Sequence, residues 1–210
     1  FYVPALGQTI RMKFLGEYNV QNALLAIAIT RLLGIADEHI VAALQEAAPP
    51  PGRLERVDMG QGFTVYVDFA HTSNGLESVL KLLNTVKTHR LIAVFGCAGE
   101  RDPHKRFPMG ASAGRYCDYT VITAEDPRTE DLTAIMDEVG RGCESEGGVR
   151  GETYFCIADR QEAINYAIQK LAQPGDIVVT TGKAHEASMC FGTTEYPWNE
   201  FDAVHNALRV

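Results

Sequence analysis

Residues 91–128, LIAVFGCAGERDPHKRFPMGASAGRYCDYTVITAEDPR, decide the fold. Two apolar, β-rich runs, Leu91–Phe95 and Tyr119–Thr123, each end abruptly in charged residues, and a small-residue helical stretch lies between them. This pattern predicts one βαβ unit with a right-handed crossover. In an open parallel sheet the ligand crevice lies beyond the carboxyl ends of the strands, so Gly96–Asp102 (GCAGERD) and Ala124–Arg128 (AEDPR) are expected to face it together.

The alternation continues on both sides. Phe63–Phe69 and Ile177–Thr181 read as buried strands, and Thr153–Ile157 as a short one. Ser73–Thr85 places Leu76, Val79, Leu80 and Leu83 on one helical face, and further helices are expected over Thr129–Ser145, Asp159–Ala172 and from about Asn199. The fold class is therefore α/β: a doubly wound, mostly parallel, Rossmann-like sheet of five or six strands. Upstream, Thr9–Leu15 alternates like a strand, and Ala23, Leu24, Ile27, Ala28, Arg31 and Leu32 fall at helical spacing. Asn19 is expected to cap that helix and Gly34 to stop it, with a second short helix over Asp37–Glu46. Ala47–Gly52, AAPPPG, concentrates proline, which stiffens a connection between bodies. A boundary is expected just after it, dividing the chain into 1–54 and 55–210.

With 210 residues, 46% of them hydrophobic, the chain can bury a real core. A net charge of −8 argues against a nucleic-acid or anionic-membrane surface and for small-molecule ligands. Cys97, Cys117, Cys143, Cys156 and Cys190 are odd in number and widely spaced, which indicates neither a disulfide framework nor a zinc site. No apolar run reaches the ~20 residues of a membrane span and no signal core is present, so a cytoplasmic location is expected. The chain opens on Phe1-Tyr2-Val3-Pro4 without Met, which suggests a fragment.

Four strand ends carry polar clusters: Asp68–Thr72, Gly96–Asp102, Glu125–Arg128 and Gly182–Glu186. Each alone suits a solvated loop, but four together suit a site. Arg101 and Arg128 can fork onto a carboxylate, or else pair with Asp102 and Glu125 in a surface network. Arginines amid carboxylates suit a zwitterion, whose ammonium Glu125, Asp126 or Glu186 would hold. His71 and His185 are more often structural than catalytic at such positions, and Lys183 reads equally as an anion contact or a solvated charge. Gly96-x-x-Gly99 is a weak phosphate-turn signal, since the third glycine of the dinucleotide fingerprint is absent. It leaves a nicotinamide-dependent oxidoreductase as one rival reading and a non-catalytic amino-acid-binding module as another. No catalytic residue and no metal ligand set is singled out.

Six ordered motifs carry a family resemblance: GEYNVQN (16–22), PGRLE (51–55), VDFAHTSNGLE (67–77), FGCAGERD (95–102) with Lys105-Arg106, Thr123–Asp131 and GKAHE (182–186). In these the chain resembles the Mur ligases, and within them the UDP-N-acetylmuramoyl-tripeptide synthetases. The resemblance implies that 1–54 is the tail of a central ATP-binding domain and 55–210 an amino-acid-binding domain. It implies ATP and magnesium, supplied mainly from an upstream region, and phosphorylation of the carboxylate of UDP-N-acetylmuramoyl-alanyl-glutamate. The amine of a diamino acid then attacks the acyl phosphate, chemistry that asks mainly for positioning and charge neutralisation. Carried over by position, Asn22, Arg53, Asp68 and His71 would line the ATP side, and Arg101, Glu125, Asp126, Arg128, Gly182 and Glu186 would hold the amino acid. No nucleic-acid or membrane partner is implied, and a monomer is expected.

Two departures bear on substrate. Arg128 favours an amino acid with a distal carboxylate, hence meso-diaminopimelate, because a planar fork reads a carboxylate. Asp126 stands where diaminopimelate-adding members carry asparagine, which would suit lysine or ornithine, and Ala184 replaces a glycine. The G-x-x-x-x-G-K-[ST] phosphate loop does not occur in these 210 residues, so the chain alone is expected to fold without ligating.

Overall fold

The computed structural model describes residues 1–209, in two units: residues 1–50 and the remainder from Pro51. In the first unit, β1 (Tyr2–Val3) pairs antiparallel with β2 (Gln8–Thr9), followed by helices α1 (Glu17–Leu32) and α2 (Asp37–Glu46). Val3, Ile10, Ile27, Ile40 and Val41 form its core. The strand expected over Thr9–Leu15 is not formed: pairing stops at Thr9, and the Ile10 N–H reaches the Phe1 carbonyl at 2.9 Å. Nor does Asn19 cap α1. The helix begins at Glu17, after Gly16 at φ 98°, and the Asn19 side chain donates back to the Leu15 carbonyl at 2.7 Å. Glycine supplies a change of chain direction that asparagine would make at higher cost.

The second unit runs β3 (Glu55–Val57), β4 (Thr64–Asp68), α3 (Ser73–Val86), β5 (Leu91–Phe95), α4 (Arg106–Tyr116), β6 (Tyr119–Ile122), α5 (Leu132–Ser145), β7 (Tyr154–Cys156), α6 (Arg160–Asn165), β8 (Ile177–Thr181), β9 (Ser188–Phe191), β10 (Thr194–Pro197) and α7 (Glu200–Leu208). Helix α6 continues through a π-helical stretch, Tyr166–Leu171. Six strands form one sheet in the order β3-β4-β8-β5-β6-β7, parallel except for the β3 edge. All ten residues of β5 and β8 are buried, as expected for central strands covered on both faces.

Alternate residues along the strands feed two cores. Leu91, Ala93, Phe95, Ile122 and Val179 face α3, α4 and α5; Ile92, Val94, Val121, Val178, Val65 and Val67 face α6 and α7. Right-handed crossovers explain the division. From β4 through β5 and β6 to β7 the chain advances across the sheet with its helices on one face, and the return from β7 to β8 puts α6 on the other. Strands β5 and β8 are neighbours whose following segments leave toward opposite faces, which opens a crevice beyond their carboxyl ends.

At the opposite end of the sheet, buried Asp176 receives both Arg90 and His89, the closest Arg90 contact being 2.6 Å. Burial alone would raise this carboxyl. Arg90, the Gln173 amide and His89 overcome that and hold it at about 2. Among the described residues no helix is long and apolar enough to cross a membrane. The five cysteines are free thiols; Cys97, Cys143 and Cys190 are buried.

Helices α4 and α5 cross at glycine. A Cβ on Gly110 would stand 1.9 Å from the Val139 carbonyl oxygen, a backbone atom that cannot swing aside. Alanine at 110 gains helix propensity but forces the helices apart, and the net expectation is a loss of about 2–4 kcal/mol. Urea unfolding of Gly110→Ala should show a lower midpoint with an unchanged slope.

Candidate functional site

A cleft of about 820 Å³ opens at the carboxyl ends of the parallel strands. Its wall is built from the segments after β4 (Phe69, His71–Asn74), β5 (Ala98, Arg101, Asp102, Lys105), β6 (Glu125, Asp126, Arg128) and β8 (Gly182, Glu186). All four polar clusters picked out in the sequence contribute to it.

The segments after β5 and β6 are locked together. The Gly99 N–H donates to the Asp126 carbonyl at 2.9 Å, and Arg128 Nη1 donates to the Gly99 carbonyl at 2.9 Å. A Cβ on Gly99 would lie 2.0 Å from the Pro127 carbonyl oxygen. The glycine is thus needed for close approach of two loops, which accounts for the Gly96-x-x-Gly99 spacing without a phosphate turn. Glu100 (φ 54°), Asp126 (46°), Arg128 (50°) and Ala184 (36°) all adopt left-handed backbone at this rim. Each such residue costs about 1–3 kcal/mol, and that strain gathers where geometry serves a ligand.

A hairpin completes the wall. The Arg128 N–H donates to the Cys190 carbonyl (3.2 Å), the Gly192 N–H to the Arg128 carbonyl (2.8 Å), and the Cys190 N–H to Asp126 Oδ1 (2.9 Å). Strands β9 and β10 therefore fix the backbone from Asp126 to Arg128. Lys183 is buried, with Nζ 2.9 Å from Asp126 Oδ1 and 2.7 Å from Glu186 Oε2. It is neither a solvated charge nor free for an anion; its ammonium is shared between the Asp126 and Glu186 carboxylates and offsets part of the negative charge they bring to the cleft.

Glu125 is the most unusual carboxyl. It is 5% exposed, and its Oε2 has no hydrogen-bond partner among the described residues. Gly182 lies flush against that oxygen, since a Cβ there would come within 2.2 Å of it. Burial pushes the Glu125 carboxyl up to about 8; Lys105, Arg160 and Lys183 pull it down, and Asp126 adds to the rise.

Arg128 is half-buried and Arg101 exposed, both lining the cleft. Neither forms the pair with Asp102 or Glu125 that a surface network would require, among the described residues. Arg53 sits over the Phe69 ring at 4.9 Å, and Phe69 also contacts the rings of His71 (4.7 Å) and His185 (4.6 Å). Asp68 is buried, and its two oxygens accept the Leu54 and Ala70 amides at 2.7 Å each, which ties the PGRLE segment to the end of β4. Burial raises the Asp68 carboxyl against the pull of those amides and Arg53. Arg53, Asp68 and His71 thus gather around Phe69. Asn22 lies in the first unit, exposed on α1, with Nδ2 3.5 Å from Asn19 Oδ1.

Several contributors were not singled out from sequence. Phe69 read only as strand, and Lys105 only as part of a motif, although its Nζ reaches the His71 carbonyl at 2.6 Å. The β9–β10 hairpin had a local signal, Gly192-Thr193 between two β-prone runs. Arg160, whose charge acts on Glu125 from the start of α6, had none.

The family described as "Mur ligase, glutamate ligase domain" matches residues 52–184. The chain is 44% identical over 198 residues to the UDP-N-acetylmuramyl-tripeptide synthetase of Roseiflexus sp. (strain RS-1), covering 94% of this chain and 39% of that protein. It is 38% identical over 208 residues to the UDP-N-acetylmuramoyl-L-alanyl-D-glutamate–2,6-diaminopimelate ligase of Geobacter metallireducens, covering 94% and 40%. A solved structure of a ligase of the latter description superposes with a TM-score of 0.68 at 31% identity, over 95% of this chain and 40% of that one. The chain thus spans about two-fifths of the length of these relatives. With a match over most of its second unit, and with relatives that align along nearly its whole length, the chain belongs to the Mur ligase family.

Proposed function

We propose that this chain is the C-terminal part of a cytoplasmic, monomeric, ATP-dependent ligase of peptidoglycan precursor synthesis, and that it holds the incoming diamino acid. Residues 1–54 would be the tail of the ATP-binding domain and 55–210 the amino-acid-binding domain. The observation that carries this reading is the cleft itself: two arginines, Arg101 and Arg128, share one mouth with Glu125 and Glu186. That arrangement suits a zwitterion with a second carboxylate, because a guanidinium fork takes a carboxylate while buried acid oxygens take an ammonium. Meso-diaminopimelate fits this description better than lysine or ornithine, since two guanidiniums line the cleft and Asp126, the acid that would favour a distal ammonium, already has Lys183 against it.

The donors around Phe69 fit the edge of a nucleotide. Arg53 lies over the ring, the His71 and His185 rings flank it, and Lys105 is close by. Asn22 is assigned to the same ligand by family position. Bound ATP with magnesium would supply activation of the carboxylate of UDP-N-acetylmuramoyl-alanyl-glutamate as an acyl phosphate. This chain's own residues then orient the amine: Arg128 and Arg101 fix the far carboxylate, Glu125 and the Glu186 oxygen not taken by Lys183 hold ammonium, and Gly182, lacking a Cβ, lets the Glu125 carboxyl keep its place. Holding the nucleophile in one pose is a large share of such a reaction's acceleration.

The test is product formation by the complete ligase carrying this chain, supplied with ATP, magnesium, the UDP-linked dipeptide and one amino acid at a time. Mass spectrometry should find the diaminopimelate tripeptide in excess over lysine and ornithine products. This chain alone should form none. Turnover by the chain alone, or no ligation by the complete protein, would refute the reading; the latter outcome would instead favour a non-catalytic amino-acid-binding module.

A further inference from the structure

Arg160 is fully buried at the first position of α6, far in sequence from every motif above. Its guanidinium spends its donors on four acceptors. Nε and Nη2 fork onto Glu200 at 2.9 and 2.6 Å, Nη1 donates to the Ala124 carbonyl at 3.0 Å, and Nη2 to the Thr181 carbonyl at 2.8 Å. Glu200, itself fully buried at the start of α7, is also held by Trp198 Nε1 at 2.8 Å. Ala124 directly precedes Glu125, and Thr181 directly precedes Gly182. Strands β6 and β8 are not neighbours, because β5 runs between them. Their ends are therefore two strand spacings, ~10 Å, apart, and no ladder hydrogen bond joins them directly; the ladders reach from one to the other only through β5.

We propose that Arg160 is a positioning residue: it fixes the spacing between the Glu125–Arg128 and Gly182–Glu186 segments, with Glu200 and α7 as its anchor. Glu125 and Gly182, pressed together across this gap, depend on it directly. Its significance for amino-acid binding rests on the function proposed above, but the spacing itself does not. A lysine cannot substitute, because one ammonium cannot fork onto a carboxylate and also reach two carbonyls on separate strands.

The experiment is single-amide hydrogen exchange on Arg160→Lys, with Glu200→Gln as the second variant. The Gly99, Arg128, Gly182 and Cys190 amides, all bonded within the cleft wall, should exchange at least about tenfold faster in Arg160→Lys. The Ile177 and Thr64 amides, bonded to Arg90 and Asp176 at the other end of the sheet, should change little. Glu200→Gln, which keeps a neutral acceptor for the guanidinium, should give the same pattern at smaller size, and it carries the test if Arg160→Lys does not fold. Equal acceleration at both ends, or none at the cleft, would overturn the proposal by making Arg160 a general stabiliser. In the complete ligase, Arg160→Lys should also raise the amino-acid KM about tenfold with the ATP KM nearly unchanged. A wild-type protein that binds no amino acid would sink the proposed function while leaving the exchange pattern to judge the clamp.

Discussion

Replacing Arg128 with alanine in the complete ligase is expected to raise the KM for diaminopimelate about 100-fold while the KM for ATP stays within about threefold. The size follows from losing a charge-assisted fork worth about 3 kcal/mol, which is two decades in affinity. The direction follows from geometry. Arg128 sends one N–H to the Gly99 carbonyl, and the hairpin clamps its backbone on both sides, so its remaining donors face the cleft from a fixed base. Arg128→Lys keeps the charge but not the fork, and should recover only part of the loss, leaving a deficit of about tenfold. Steady-state kinetics with each substrate varied in turn measures both. Equal increases in the two KM values would place Arg128 outside the amino-acid site.

The second large effect concerns Glu125. Its folded value of about 8 lies above the ordinary 4.5, so the folded protein keeps a proton that the unfolded chain releases. The associated stability is fully present below pH 4.5 and is lost as the pH rises through 8. Glu125→Gln removes this dependence at nearly constant shape. The variant should match wild type near pH 4 and exceed it at pH 9 by on the order of 5 kcal/mol, as read from chemical denaturation across that range. Binding should show the converse. An ammonium placed at the unpartnered Oε2 favours the ionised form, so diaminopimelate affinity should rise with pH between 6 and 8, by up to about tenfold per unit, and then level off. Lys105, Lys183, Arg160 and Asp126 are the charged groups that act on Glu125, and they are common to both proteins. In Glu125→Gln the pH dependence should flatten and the affinity at pH 8 should fall. A wild-type stability profile that does not decline from pH 5 to 9 would show that Glu125 is not held protonated.

The sheet was legible in the sequence because its central strands are buried on both faces. Leu91–Phe95 reads as an unbroken apolar run and Ile177–Thr181 as a β-branched one, and they form as strands with those bounds. The crevice was legible because right-handed crossovers leave few places for polar strand ends to gather. What escaped was tertiary. Strand β10 is exposed throughout, so no buried face marks it, yet with β9 it holds Arg128. Arg160 at a helix start reads as a surface charge, and its partner Glu200 lies 40 residues away. Asp126 looked like a free negative charge beside a carboxylate site until Lys183, 57 residues on, proved to be buried against it. The first unit was least legible: Leu32 fits the helical period of α1 but is 88% exposed, while Ala23 and Ile27 carry the burial.

By the proposal above, the cleft selects an amino acid with a distal carboxylate, through Arg128 and Arg101, while Lys183 is held between Asp126 and Glu186. Calorimetric titration of the complete ligase with meso-diaminopimelate and with L-lysine tests it most directly. Diaminopimelate should bind at least about tenfold more tightly, a difference of 1.4 kcal/mol or more. Equal or tighter binding of lysine would contradict the claim.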